Sequence, residues 1–220
     1  MRLMFFGFIT GYLLGSIPFA WIAVWLFKRI DMRNYGSRTV SATMVGVLIS
    51  KPIAAIIGCL DILKGLIPVY FGKTFFESSG LSSSFFAYAA GIGALLGHNW
   101  PIWLRFQGGR GVSVVLSVLT VLFPFGAIYL LVMLGLGKLF RAGAIMVIIA
   151  LSTMPVLSVL LHKPLPDIIF LLLVFLICLI KRIEANRESL PDVNKRAVIL
   201  RRIFWDRDVR DYHHWLHRQL

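Results

Sequence analysis

The chain has 220 residues, of which 58% are apolar, with a mean hydropathy of +0.82 and charges clustered between long uncharged runs. That pattern excludes an ordinary soluble domain and predicts a polytopic, all-α integral membrane protein. The net charge of +13 does not argue for nucleic acid, because the basic residues stand at the ends of apolar segments, where they orient helices and meet anionic lipid headgroups.

The first apolar run, Leu3 to Phe27, carries no charge. It is too long for a signal-peptide core and lacks a cleavage site, so it is expected to remain as a spanning helix. A polar stretch follows, Asn34 to Thr43, holding four serine and threonine hydroxyls, Gly36 and Arg38 just before another apolar helix. Its hydroxyls and N–H groups suit a phosphate, and equally an ordinary capping turn with Ser41 or Thr39 as N-cap.

The next run, Ile53 to Phe71, contains Asp61 and Lys64, three residues apart and so on one helical face. Ionisable residues at membrane depth are costly unless paired or facing a polar cavity. A mutually neutralised packing pair is the expected role of Asp61, with Lys64 lending field to a phosphate site. Lys51, just before Pro52, reads as an interfacial charge. Cys59 and Cys178 lie far apart in apolar runs and are expected to be buried free thiols, with neither disulfide nor metal site.

After a run from Phe85 to Trp103 comes the most informative segment, His98 to Gly111, in which Gly108, Gly109 and Gly111 surround Arg110 ahead of a helical run from Val112. Closely spaced glycines let backbone N–H groups converge, and a helix N-terminus and a guanidinium add positive potential. The same residues also fit a cytoplasmic turn bearing a positive-inside arginine. His98 is a candidate either to orient this loop or donate to phosphate, or to join helix and loop structurally.

Hydropathy treats Val112 to Leu139 as one span, giving six in all, but that topology would put Lys138, Arg141 and the basic C-terminal region outside. Splitting it at Phe123-Pro124 restores the positive-inside pattern and gives seven spans, the two halves being short, about 12 and 15 residues. The last two spans are Ala142 to Leu161 and Pro166 to Ile180. The N-terminus is then outside, and Asn34–Thr43, His98–Gly111 and Lys181–Leu190 share the cytoplasmic face as a possible composite site.

The segment 191–220 reads as a separate basic, amphipathic cytoplasmic tail after a membrane portion 1–190. Trp205, Val209, Tyr212 and Leu216 recur at helical spacing, and Lys195, Arg196, Arg201 and Arg202 favour anionic lipid. His213 and His217 are four apart without further ligand motifs, and a metal site is not expected.

In order along the chain stand Tyr12-Leu13-Leu14-Gly15-Ser16-Ile17-Pro18-Phe19, the Gly36-Ser37 loop, Leu60-Asp61-Ile62-Leu63-Lys64-Gly65, and Gly97-His98 through Pro101 to Gly108-Gly109-Arg110-Gly111-Val112. With this set of motifs the chain resembles the bacterial acyl-phosphate:glycerol-3-phosphate acyltransferase family over about Gly7 to Leu190. The resemblance implies a seven-span inner-membrane enzyme that moves an acyl group from acyl phosphate to the 1-hydroxyl of glycerol 3-phosphate, feeding phospholipid synthesis without cofactor or metal. It carries Gly36, Ser37, Ala42 and Thr43 onto a first motif and Gly97, His98, Pro101, Gly108, Gly109, Gly111 and Val112 onto a second, with Arg110 in place of the usual lysine.

The chain also departs from that pattern. Arg38, Thr39, Ser41, Met44 and Val47 replace the family's residues in the first loop, Val47 taking the place of an arginine. At the third motif Ile183 stands where the family has histidine, leaving Asn186 and Leu190. Ala142-Gly143-Ala144 replaces a serine-bearing stretch. Two readings follow: an acyltransferase acting on glycerol 3-phosphate or a related phosphorylated acceptor, with Arg38 as a substitute cation, or a catalytically inactive paralogue that binds anionic lipid or serves as a scaffold. The sequence assigns no oligomeric state. A transporter is disfavoured, since no internal repeat is evident.

Overall fold

The computed structural model describes residues 2–78, 83–185, 194–209 and 211–217. The described residues form helices and turns, and the chain divides into two compact units, Met1–Leu122 with Asp211–Leu220, and Phe123–Arg210.

The first unit begins with α1 (Arg2–Gly15) and α2 (Phe19–Lys28). The sequence reading made these one helix. The structure breaks them at Ser16-Ile17-Pro18, because Pro18 cannot donate to the preceding turn. α1 packs along α5 (Ser83–Asn99) through a stripe of small residues. Gly7, Gly11 and Gly15 face Phe86, Ala90 and Ala94, and a Cβ on Gly11 would fall 2.1 Å from the Ala90 carbonyl oxygen. Helices approach this closely in membranes because dispersion contact, not exclusion of water, drives their association. Tyr12 Oη donates to the Trp100 carbonyl at 3.0 Å and ties the same two elements together.

A 3-10 turn (Met32–Asn34) leads to α3 (Ala42–Leu48), whose N-cap is Ser41, its Oγ accepting from Met44 N at 3.4 Å. α4 (Lys51–Ser78) is longer than the run Ile53 to Phe71 and contains Pro68. At Gly65 it closes on α6 (Val112–Leu122), an added Cβ meeting Ser117 Oγ at 2.3 Å. Large side chains such as Phe5, Phe6, Phe27, Ile56 and Phe71 point outward, while alanine, glycine and valine fill the interior, the arrangement lipid favours. Cys59 is on this outward face, contrary to the expected burial, whereas Cys178 is buried; both are free thiols.

The run from Val112 is indeed split: α6 ends at Leu122, Phe123 leaves the helical region with φ −145° and ψ 74°, and α7 (Pro124–Leu139) starts at the proline. In the second unit α7 packs on α8 (Gly143–Leu160) and α8 on α9 (Leu165–Glu184), with α10 (Lys195–Trp205) against α8 and α9. Among the described residues, three stretches are by length and composition apolar and long enough to cross a bilayer, Arg2–Lys28, Lys51–Phe75 and Gly143–Leu160, and α6 and α7 are shorter apolar helices.

The tail is not the single amphipathic helix its spacing predicts. α10 stops at Trp205 because Asp206 takes a left-handed conformation, and a short α11 (Tyr212–Leu216) follows in the first unit. There Leu216 packs on the cluster around Met32, Met44 and Val45, and its carbonyl lies over Gly36. Arg202, expected to face lipid, is buried and paired with Asp208.

Candidate functional site

Two polar loops far apart in sequence meet in the first unit. Val40 N donates to the Gly108 carbonyl at 3.3 Å, and Gly109 N donates to the His98 carbonyl at 3.0 Å. The glycines are required by this closeness. A Cβ on Gly109 would stand 2.1 Å from His98 Nε2 and 2.8 Å from the Val40 carbonyl, and one on Gly108 2.2 Å from the His98 carbonyl. Gly111 adds a left-handed φ of +79° immediately before α6, a conformation that L side chains rarely adopt. Arg110 sits half-buried between Gly109 and Gly111.

The first loop lies against this one with its hydroxyls in a chain: Ser37 Oγ and Thr39 Oγ1 are 2.7 Å apart, Thr39 Oγ1 and Ser41 Oγ 3.2 Å. Gly36 and Arg38 both have positive φ, which turns the backbone sharply on either side of Ser37. Ser37 and Thr39 are buried, Arg38 is half-buried, and Thr43 is exposed in the first turn of α3.

Behind the loops the charges of α4 form a compact polar knot. Lys64 Nζ reaches Asp61 Oδ1 at 2.9 Å and the Ile17 carbonyl at 3.1 Å. That carbonyl belongs to the break between α1 and α2, so Lys64 satisfies a backbone acceptor that an unbroken helix would have bonded internally. The Asp61–Lys64 pair expected from spacing is therefore present, and Lys64 is directed at the helix break. His98 Nδ1 stands 3.9 Å from Asp61 Oδ1. The imidazole thus lies between the carboxylate of α4 and the glycine loop. A cleft with about 10 Å³ of free space, lined by Ser16, Val40, Asp61, Lys64 and His98 among others, has the size of a single water.

Arg33 is one of the basic residues that follow the first apolar run and belongs to none of the sequence motifs. In the structure it clamps the two loops: its Nη1 donates to the Leu104 carbonyl at 2.9 Å and to Gln107 Oε1 at 3.4 Å, and its Nε to Asp31 Oδ1 at 3.0 Å. Burial pulls the Asp31 carboxyl upward, but the side-chain and backbone hydrogen bonds from Arg33, its charge, and the Trp21 indole together hold it below the usual aspartate range. Asn99 was also passed over. It is wholly buried, and its carboxamide, set against Gly111, has no hydrogen-bond partner among the described residues. Spacing gave no signal for either residue. The third polar stretch belongs to the second unit, with Lys181 paired to Glu184 and the Ile183 carbonyl accepting from Arg202. Asn186 and Leu190 lie outside the described residues.

What this arrangement offers chemically is a glycine loop at the start of a helix, an arginine inside it, and a hydroxyl-bearing loop bonded alongside, which are the elements of an oxyanion site.

Residues 5–190 match the family described as Glycerol-3-phosphate acyltransferase. A glycerol-3-phosphate acyltransferase of Wolbachia sp. subsp. Brugia malayi is 44% identical over 52% of this chain, a match spanning 58% of that protein. Glycerol-3-phosphate acyltransferase 5 of Dehalococcoides mccartyi is 31% identical over 96% of this chain and 91% of its own length. The crystal structure of PlsY (YgiH), an integral membrane glycerol 3-phosphate acyltransferase, in its glycerol 3-phosphate form, superposes with a TM-score of 0.71 at 29% identity, covering 81% of this chain and 88% of that one.

Proposed function

Because the chain belongs to the glycerol-3-phosphate acyltransferase family, we propose that it acylates glycerol 3-phosphate from an acyl phosphate in the inner membrane, with its two bonded loops on the cytoplasmic side holding the acceptor's phosphate. The observation that carries this reading is the pair of backbone bonds, Val40 to Gly108 and Gly109 to His98, that sets Ser37 and Arg110 on adjoining loops.

In this mechanism the loop amides of Gly108 to Gly111 and the Arg110 guanidinium bind the phosphate of glycerol 3-phosphate, with Gly36, Ser37 and Thr43 assisting and Arg38 as the second cation. His98, held beside Asp61, positions the glycine loop. The 1-hydroxyl attacks the acyl carbonyl, a C–O ester bond forms, the C–O bond to phosphate breaks, and inorganic phosphate leaves with the displaced electron pair and takes up the hydroxyl proton. An acyl phosphate is already activated, so positioning and charge stabilisation provide the rate without a protein nucleophile. Asn186 enters by its match to the third motif. The portion 1–190 is taken as the membrane enzyme and 191–220 as its cytoplasmic tail, with the N-terminus outside.

One observation favours the second reading, an inactive lipid-binding paralogue. Val47, where the family carries arginine, packs on the apolar cluster around Met44 and Val45. The separating experiment is acyl transfer by purified protein in lipid nanodiscs, given acyl phosphate and labelled glycerol 3-phosphate. Labelled lysophosphatidic acid supports the enzyme; no product from folded protein, beside an active family member, supports the paralogue.

A further inference from the structure

Asn99, the last residue of α5, lies against the glycine loop on both sides of Arg110. Its carbonyl oxygen is 2.7 Å from where a Cβ on Gly108 would stand, and its side-chain oxygen is 2.8 Å from the same point on Gly111. Gly111 immediately precedes α6, and its carbonyl accepts from Val115 N at 2.8 Å. One residue therefore backs the loop both at its first glycine and where it becomes helix. The support is firm, because α5 is packed on α1 through the small-residue stripe and the carbonyl of the next residue, Trp100, accepts from Tyr12 Oη at 3.0 Å.

Packing does not account for an asparagine here. The residue is 0% exposed, and neither Oδ1 nor Nδ2 has a hydrogen-bond partner among the described residues. A buried carboxamide left unbonded is costly, so an apolar side chain would serve the unliganded fold better. The loop in front of it can supply the missing partner. A trans peptide points its C=O and its N–H in opposite directions, so a donor behind the loop that takes a carbonyl turns the N–H of the same peptide to the front. Forward-facing amides are what a phosphate-binding loop requires. Asn99 is not among the positions that carry the resemblance to the family motifs.

We propose that Asn99 is a positioning residue for the acceptor's phosphate: when glycerol 3-phosphate occupies the loop, Asn99 Nδ2 donates to a carbonyl of the Gly108–Gly111 segment and aims the N–H of that peptide at the phosphate oxygens. Asn99 acts from behind and does not touch the substrate. The inference rests on the reading of this loop as the phosphate site.

The test measures binding of radiolabelled glycerol 3-phosphate to the full chain in lipid nanodiscs, with melting of the same preparations, for wild type, Asn99→Ala, Arg110→Ala and Ser158→Ala, the last a buried position of α8 in the other unit. Asn99→Ala is expected to weaken binding about tenfold, the worth of one buried hydrogen bond. It should melt within about 3 °C of wild type, since the carboxamide makes no hydrogen bond in the unliganded protein. In turnover the loss falls on KM for glycerol 3-phosphate and not on kcat, and a loss confined to kcat overturns the inference. Binding unchanged in Asn99→Ala but weakened in Arg110→Ala overturns the inference and leaves the phosphate site standing. Binding absent in wild type, or unchanged in both variants, overturns the site as well. Equal weakening in Ser158→Ala marks a general loss of stability and also overturns the role of Asn99. Should Asn99→Ala fail to fold, Asn99→Leu, which fills the space without polar atoms, takes its place with the same expected weakening.

Discussion

Gly109 and His98 are bonded through the backbone and also pressed together through the side chain, since the space where a Cβ would stand on the glycine is filled by the imidazole Nε2. His98 in turn faces Asp61. The geometry of the glycine loop is thereby coupled to a carboxylate in α4, and a substitution at one point of this chain displaces the others. Gly109→Ala must push the imidazole or the Val40 backbone aside, at about 1 to 3 kcal/mol by the usual cost of overpacking. The expected outcome is a folded, less stable protein with acyl transfer reduced by an order of magnitude or more, read from melting and turnover of the same preparation.

Asp61 and Lys64 form a buried pair whose members are each costly alone. Breaking such a pair from one side typically costs about 3 to 5 kcal/mol, whereas replacing both with apolar residues of similar size is near neutral. Asp61→Leu is therefore expected to destabilise strongly, and Asp61→Leu/Lys64→Met to recover most of that loss. Full recovery is not expected, because Lys64 also serves the Ile17 carbonyl. Denaturation midpoints of Asp61→Leu, Lys64→Met and the double variant measure this directly.

The Asp31–Arg33 clamp predicts a pH dependence. With the folded-state carboxyl below its usual range, the ionised form is the one folding favours. Its stabilisation is present in full above the unfolded value, about 3.9, and disappears as pH falls through the lower folded value. Asp31→Asn should therefore melt below wild type at pH 7, and the difference should shrink as pH drops below about 4. A constant difference across that range would place the effect elsewhere.

The close contact of α1 and α5 makes a contrast between two glycines. Gly11→Val drives a side chain into the Ala90 backbone, while Gly135 in α7 has nothing within 4 Å of its would-be Cβ. Gly11→Val is expected to lower the melting temperature clearly, and Gly135→Val to leave it nearly unchanged, as thermal melting of both variants in the same detergent would show.

Much of this was legible in the chain. The charges at Lys138 and Arg141 required a break near Phe123-Pro124, and the spacing of Asp61 and Lys64 required their pairing. Ser41 capped α3 as its position suggested. Hydropathy was blind to the break at Pro18, because Ile17 and Phe19 are as apolar as a continuous helix would be. The Arg33 clamp was hidden because its partners, Leu104 and Gln107, come from another loop. In the tail, helical spacing across Trp205, Val209 and Tyr212 carried no sign that Asp206 would turn left-handed. Asn186 is outside the described residues, so its part in the site rests on motif position alone.

Whether the loop around Arg110 holds the phosphate of glycerol 3-phosphate is read from the KM for that substrate in wild type, Arg110→Ala and Arg110→Lys. Loss of a guanidinium from a phosphate contact costs about 2 to 4 kcal/mol, or roughly 30- to 1000-fold. With the phosphate held there, KM is expected to rise by that order in Arg110→Ala and to be largely restored in Arg110→Lys, the residue the family usually carries. A KM unchanged in Arg110→Ala would contradict it.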